Sequence, residues 1–566
     1  MTLPELLAPA GSFAAAKAAL FAGADAIYVG GRMLNARMNA SNFTDAELSE
    51  LIKLAHGRGV KVFVTMNTAV LDREMAEAVA YTDLLYKMGT DALIVSDLGL
   101  MAAIKDRYPG MELHASTQAS GHNAECAKAF EKLGFCRMVC ARELSKREID
   151  GLVKDSPIEI EQFVHGAMCV SQSGQCLASY VMGGRSGNRG VCAQPCRMRY
   201  GSGYPISLKD MCLAPHVTSL IESGVASLKI EGRMKSPQYV YEVVSAYRRL
   251  LDLTRNASKS ETEALAAVFS RSGFTDGYYT ENIGADMLGV RTDSDVKATE
   301  GVRTEIKDKG RRLPPITVND RTPNGEFTQI KPPKKGSGSG KPILTARFLS
   351  ADQVCRTDAF SHVYLPLDRY ERDVCDGVVF PPSVFPSEEA KFLKDLERAV
   401  SLGATDALIT HVGQIETALR YGLTPHGDYR LNVFNSHAAR LYTSLGLRDV
   451  MLSPELTLPQ IRDINAPKSV IVYGRFPIML LTKPVGQSML TDKTGARFPI
   501  IKENGRDVLI NSVPIYMADK GKELDNFGVR GRHFVFTTET RRECFAIVEA
   551  YEKGTPSKAQ IRRILK

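Results

Sequence analysis

The sequence predicts an α/β protein: an N-terminal TIM-like (β/α)8 barrel followed by a C-terminal degenerate barrel-like repeat. Three observations carry this. Short apolar strands alternate with amphipathic helical stretches through the first half of the chain. Polar residues gather at the C-terminal ends of those strands. A second segment then repeats the same order of elements. The strands read as ELLAPA, AIYVG, VKVFVTMN, ALIVSD, ELHAST, RMVCARE, IEIEQFVHG and SLKIEG, with helix-like segments such as DAELSELIKLAHGRG and AECAKAFEKLG between them. Eight strands with crossover helices match the strand count of a closed parallel barrel. A doubly wound open sheet is the alternative reading. In a barrel the strand ends face the active site. Here they carry Asn67, Asp97, His114, Gln118, Arg142, Glu143, His165, Lys229, Glu231 and Arg233.

The repeat is visible by eye. ELHASTQASGHNAECAKAFEKLGFCRMVCARELSKREI lines up with YRLNVFNSHAARLYTSLGLRDVMLSPELTLPQI, and EQFVHGAMCVSQSGQC parallels VIVYGRFPIMLLTKPVGQS. Both copies read strand, polar turn, helix, Leu-Gly, strand, Glu-Leu, helix start. The second copy keeps the frame without the cysteines and is expected to act as a substrate platform. The domain reading is therefore a barrel over 1–298 with a cysteine loop at about 165–212, a basic Pro/Gly-rich linker or reduced intervening segment over 299–345, and the repeat over 346–566. The linker contains RTPNGEFTQIKPPKKGSGSGKP, whose GSGSG run has the composition of a flexible spacer.

The chain has 566 residues, 44% hydrophobic and 24% charged, enough for two or more cores. Net charge is +8, from 72 basic and 64 acidic residues. That excess permits an RNA partner without requiring one. The N-terminus lacks a basic start followed by an unbroken apolar core, and no stretch approaches the roughly 20 apolar residues of a membrane span. The expectation is a cytoplasmic protein with no membrane partner. Thiols stay reduced there, so the 11 cysteines point to metal or redox chemistry rather than a disulfide framework.

The chemistry concentrates in the connection after the seventh strand. Cys169, Cys176, Cys192 and Cys196 follow a CX6C–X15–CX3C pattern, with Cys212 further on. Four thiolates in one loop suit Zn²⁺ or an iron–sulfur cluster. Only the CX3C arm has the tight spacing of a zinc knuckle, so the looser CX6C arm favours the larger inorganic core. Cys212 is the alternative to Cys196 as fourth ligand. Cys126, Cys136 and Cys140 read as small buried hydrophobes. Gly183, Gly184, Gly187 and Gly190 allow close backbone approach, while Arg185 and Arg189 can bind anions. Period two places Ser227, Lys229 and Glu231 on one face of the eighth strand. Arg142 and Arg233 suit bidentate carboxylate binding. His165 reads equally as a ligand-facing group or a core histidine. No GxSxG, HExxH, P-loop or dinucleotide fingerprint is present.

These residues also carry a resemblance. EQFVHGAMCVSQSGQCLAS resembles the signature of the collagenase-like peptidase family U32, and PELLAPAGS, GADAIYVGG, LNARMNASNF, GRSGNRGVCAQPCRMRY and SLKIEGRMKSPQYV resemble it too. The resemblance is dense over 3–250 and looser in the C-terminal repeat. It implies an oxygen-independent RNA hydroxylase with a [4Fe–4S] cluster on Cys169, Cys176, Cys192 and Cys196. The implied product is 5-hydroxycytidine in 23S rRNA, with prephenate as co-substrate and oxygen source. Hydroxylation of the tRNA wobble uridine, a collagenase-like peptidase and a zinc-bound binding module are the alternatives. The expected roles are His165, Lys229 and Glu231 in catalysis and Arg142, Arg185, Arg233 and Gln118 in substrate binding. Lys229 is expected to join the arginines on the anionic donor. Ribosomal RNA (or tRNA), a small anionic metabolite and a reductase or accessory protein are the expected partners.

Overall fold

The first eight-stranded barrel closes because its last strand pairs back onto both its first and its seventh. In the computed structural model, which describes residues 3–38, 40–333 and 341–562, the N-terminal strands are β1 (Glu5–Ala10), β2 (Ala26–Gly30), β3 (Lys61–Met66), β4 (Ala92–Val95), β5 (Glu112–Ala115), β6 (Arg137–Val139), β7 (Glu159–Ala167), β8 (Asp210–Cys212), β9 (Ser227–Ile230) and β10 (Phe274–Thr275). Strands β1 to β7 pair in sequence order and in parallel, and β9 lies parallel between β7 and β1. β8 is an antiparallel rim strand on β7, and β10 adds to β8. The predicted barrel is therefore present, with β9 as its eighth wall strand.

Buried charges inside the wall are paired, as a low-dielectric interior requires. Lys229 Nζ donates to Glu161 Oε1 at 2.5 Å, and Arg137 meets Glu5 at 2.7 Å and Glu161 at 3.3 Å. Along β7 the alternation breaks once. Glu161 and Phe163 pair with Ser227 and Lys229, but a register shift then sets His165 opposite Ile230. A bulge of this kind reverses which face the next side chain occupies.

The second half forms another barrel, from β11 (Ile343–Arg347), β12 (His362–Pro366), β13 (Gly377–Val379), β14 (Asp406–Ile409), β15 (Thr424–Gly427), β16 (Val450–Met451), β17 (Lys468–Gly474) and, after an excursion, β23 (Gly531–Val535). All eight are parallel, and β23 closes the ring between β17 and β11. The excursion contains β18 (Pro477–Leu481), β19 (Met489–Thr491), β20 (Arg497–Glu503) and β21 (Arg506–Ile510), an antiparallel sheet in the order β18-β21-β20-β19, and then β22 (Ile515–Tyr516), antiparallel to β17. Two expectations change here. YRLNVFNS is not a strand: Tyr429–Leu431 is a 3-10 turn and Ser436–Ser444 a helix, the strand being TPHG just before them. The antiparallel sheet was not anticipated.

The two copies agree in detail at one constant offset. Asn123 and Asn435 each cap a helix by accepting from the amide three residues on, and Ser120 and Asn432 each take a left-handed backbone before it. The barrels meet through these equivalent elements. Asn435 Nδ2 donates to Asp97 and to the Val70 carbonyl, and Ser436 Oγ donates to Asp72 Oδ2 at 2.7 Å. Asn123 Nδ2 donates to the Val384 carbonyl at 2.8 Å. A Cβ on Gly99 would lie 2.0 Å from Asn435 Oδ1, so only glycine permits this approach.

Between the halves, residues 302–333 form a strap without regular structure. It bonds to the carbonyls of Phe21, Arg58, His56 and Arg107. These lie near the C-terminal ends of helices, on the side of the barrel opposite its C-terminal mouth, whereas the end of the strap crosses toward the mouth side, where Gln329 Nε2 donates to the Asp72 carbonyl and the Lys331 carbonyl accepts from Asn465. The GSGSG run lies outside the described residues. Among the described residues no helix is long and apolar enough to cross a membrane.

Candidate functional site

At the C-terminal mouth of the first barrel, a cavity of about 240 Å³ is lined by Cys169, Cys176, Cys192 and Cys196 together with Gln118, Arg142, Lys229, Glu231 and Arg233. The strand ends converge there because each predicted polar residue sits at or just beyond the last inward position of its strand. The thiols arrive on the long loop between β7 and β8.

Both halves of the molecule hold that loop. Gln172 N donates to the Leu480 carbonyl and Leu177 N to the Ile478 carbonyl, so the loop lies along β18 of the second half. Ser186 Oγ and Asn188 Nδ2 both donate to Glu455 Oε2 at 3.0 Å. Arg189 forms a bidentate pair with Glu74 at 2.6 and 2.7 Å. Gly190 has φ +80°, and a Cβ there would lie 2.3 Å from the Asn35 carbonyl oxygen, so this glycine is a close-approach point. Gly183 and Gly184 face open space.

The thiol electrostatics are mutual. Burial raises the Cys176 thiol well above its ordinary pKa, and Cys169, Cys192 and Cys196 raise it further. Burial and then Cys169 push Cys196 up to about 12. Thiolates crowded this way stay together only around a cationic centre. Among the described residues no three of the four sulfurs lie within 4.8 Å of one another. Tetrahedral zinc, with Zn–S near 2.3 Å, sets its sulfurs only about 3.8 Å apart. Four thiols in one cavity are a donor set of the kind that holds a soft metal centre. Cys212 does not line the cavity. It lies on β8 opposite His165, buried, its thiol pushed up to about 12 by that burial.

Opposite the sulfurs stand cations. The Arg142 guanidinium lies 4.2 Å from the Phe163 ring centroid, and its buried Nε has no partner. Arg233 donates only to neutral oxygens: Thr65 at 3.0 Å, Asn35 at 2.9 Å and Asn42 at 2.8 Å. Burial lowers its pKa to about 10. Arg37 pairs with Glu231 at 3.0 Å. Burial alone would raise the Glu231 carboxyl, but Arg37, Arg142 and Arg233 hold it below its usual value. Lys229 and Glu231 thus share a strand face but pair elsewhere. Just behind Arg142, burial pushes Glu143 up to about 7.

Two expected site residues lie elsewhere. The β7 bulge turns His165 outward, where it packs against the Tyr239, Tyr247 and Phe274 rings. Both its ring nitrogens are buried without partners, and burial pushes its pKa down to about 3, so it is a neutral histidine among aromatic rings. Arg185 is exposed and donates to the Val191 carbonyl within its own loop. Sequence reasoning missed Arg37 and Asn35 as site residues. The signal was LNARMNASNF directly after the second strand, the same strand-end position that singled out the others.

A parallel barrel with four thiols and a bank of guanidinium groups at its C-terminal mouth defines a class: a barrel protein with a soft-ligand site on its catalytic face. The family model of peptidase family U32 matches residues 11–288 and 378–497, more than half of the chain, and the chain belongs to that family. It is 39% identical over 308 residues to "23S rRNA 5-hydroxycytidine C2501 synthase" of Escherichia coli (strain K12), covering 52% of this chain and 46% of that one. It is 38% identical over 266 residues to "tRNA hydroxylation protein P1" of Bacillus subtilis (strain 168), covering 44% of this chain and 63% of that one. It is also 35% identical over 306 residues to "Collagenase" of Porphyromonas gingivalis (strain ATCC BAA-308 / W83), covering 49% and 73%. The chain thus spans less than two thirds of the length of the first two relatives.

Proposed function

We propose that this chain is an oxygen-independent RNA hydroxylase that forms 5-hydroxycytidine in 23S rRNA, working in the cytoplasm with a [4Fe–4S] cluster and a prephenate-type anionic donor. One observation carries the reading: a single cavity joins four thiols to the guanidinium groups of Arg37, Arg142 and Arg233, three cations around one lining carboxylate, Glu231. Cys169, Cys176, Cys192 and Cys196 would hold the cluster, which when bound supplies a soft, redox-active iron centre.

The chain's own residues then divide the remaining work. Arg142 and Arg233 bind the donor's carboxylates, because a buried guanidinium without an acidic partner gains most from an anion. Glu231, kept ionised by Arg37, accepts a hydrogen bond or a proton at its free oxygen rather than giving one. Lys229, tied to Glu161, lends positive charge without leaving the wall. The second barrel and β18 close the cavity's flank and limit water entry. Nucleoside mass spectrometry of rRNA from a deletion strain tests the reading. 5-Hydroxycytidine should disappear, and an unchanged level ends the rRNA assignment.

The relative named as a tRNA hydroxylation protein favours a second reading, hydroxylation of the tRNA wobble uridine. Loss of wobble 5-hydroxyuridine in the same strain would select it. The relative named a collagenase keeps a peptidase in view. No histidine lines the cavity, however. The Cys126–His411 contact, 3.2 Å, is buried between the barrels.

A further inference from the structure

Besides the thiol cavity, the described residues contain three groups of side chains with donor atoms close enough to share a metal. Two are already engaged. In His122–Cys126–His411, His122 bonds the Ser120 carbonyl at 2.6 Å and the Val384 amide at 3.0 Å. His411 bonds the Ala119 carbonyl at 2.9 Å and the Gly413 amide at 3.1 Å. A metal would have to break this buried network. In Glu112–His114–Cys136 there is one imidazole, and the Arg137 cation bears on it.

The third group is hydrogen-bonded too, but it opens to solvent at His362. His362 opens β12, Asp406 opens β14 and His426 lies in β15, all toward the N-terminal end of the second barrel, away from the thiol cavity. Their three donor atoms lie within 4.8 Å of one another. His426 Nε2 is 3.1 Å from Asp406 Oδ1, and His362 Nδ1 is 3.6 Å from the same oxygen. Bonds of about 2.0–2.2 Å in a tetrahedron separate ligand atoms by about 3.3–3.5 Å. The two His–Asp separations are close to those of adjacent corners of such a site.

The surroundings are also those of a metal centre. His426 bridges two carboxylates, Nδ1 to Asp449 Oδ2 at 3.0 Å and Nε2 to Asp406 Oδ1 at 3.1 Å, so a metal would take the place of the Nε2 proton while Asp449 holds the proton on Nδ1. A ligating imidazole typically has such a carboxylate on its far nitrogen. Thr405 Oγ1 donates to Asp406 Oδ2 at 2.6 Å, steadying the other ligand. Gly377, on the strand between β12 and β14, lets its neighbours pack closely: a Cβ there would lie 2.7 Å from the Asp406 carbonyl oxygen and 2.8 Å from the Tyr364 ring. The His362 side chain is 33% exposed, so water can fill a fourth position.

We propose that His362, Asp406 and His426 bind a divalent cation of the zinc type at the base of the second barrel, with Asp449 orienting His426. Two imidazoles and one carboxylate form a donor set suited to zinc and unsuited to calcium or magnesium. Bound there, the ion ties β12, β14 and β15 together at one end of the barrel.

The test uses the full chain, incubated with zinc chloride, desalted and analysed for zinc, iron and sulfide. The parent and Cys176→Ala should both retain this ion, while His362→Ala and His426→Gln should each carry about one equivalent less zinc than the parent with unchanged iron and sulfide. Asp449→Asn should weaken zinc affinity by about 10–100-fold. His362 is part-exposed, so His362→Ala keeps a melting profile like that of the zinc-free parent and tests the site even if His426→Gln misfolds. The proposal is overturned if the parent retains no zinc, if His362→Ala retains as much as the parent, or if Cys176→Ala alone removes it all.

Discussion

Arg142 forms no hydrogen bond or ion pair among the described residues, although its Nε is buried. The residue is half-buried over the Phe163 ring, and its unmade hydrogen bonds leave it able to gain from a visiting anion. Under the proposed function, Arg142→Ala should raise the KM for the anionic donor by about 10–100-fold, the equivalent of ~1.5–3 kcal/mol for a charged hydrogen bond. Its thermal midpoint should stay near the parent's, and steady-state kinetics against donor concentration would show both. Glu455 gives a pH prediction. Burial raises its carboxyl from 4.5 to about 7, against the hydrogen bonds from Asn188 and Ser186. Its folded pKa lies above its unfolded one, so its stabilising contribution is complete below about pH 4.5 and is lost as pH rises through about 7. Glu455→Gln should therefore flatten the fall in melting temperature between pH 5 and 7. An unchanged slope in calorimetric scans would refute the assignment. Much of this site was legible in the sequence, because period two and the strand-end rule need only residue order: Gln118, Arg142, Lys229, Glu231, Arg233 and the four cysteines all line the cavity. His165 was misjudged because one extra residue in β7 reverses the alternation, and nothing in EQFVHG marks that residue.

Elements show the same division. The first barrel was readable because its strands are apolar runs that helices regularly interrupt. In the second, β13 (GVV) and β15 (TPHG) are too short, and β15 carries Pro425, His426 and Gly427, residue types that strands usually avoid. The neighbouring YRLNVF alternates like a strand, yet its Tyr, Leu and Val are buried in a turn. The repeat holds at the helix ends, where Asn123 and Asn435 cap in both copies. Where the helices Leu98–Ile104 and Ser436–Ser444 meet, the contact depends on Gly99. Gly99→Ala should destabilise the chain by about 1–3 kcal/mol, the usual cost of overpacking. Urea unfolding would measure this, and a variant as stable as the parent would mean that the helices part without loss.

For the whole molecule, most buried apolar residues of both barrels belong to one contiguous cluster, and two small separate ones, around Phe63 and around Tyr364, sit on the barrel strands. The way the two barrels pack was not legible: the sequence repeat revealed that two copies exist, while their mutual placement depends on contacts such as Asn435 to Asp97. The cysteine loop takes part in this unity by running along β18. Its amides at Gln172 and Leu177 should therefore exchange hydrogen together with those of β18. Mass-spectrometric exchange showing a fast loop beside a slow β18 would count against that coupling. The same pairing bears on how the protein is made. Leu481 leaves the ribosome roughly 280 residues after Cys196, which at ~5–20 residues per second is about 15–60 s of synthesis. Through that interval the nascent thiols have only one wall of their eventual enclosure, and the cell must keep them reduced and free of stray metal. Any inorganic core thus reaches its finished seat only after translation has delivered the strand that completes it.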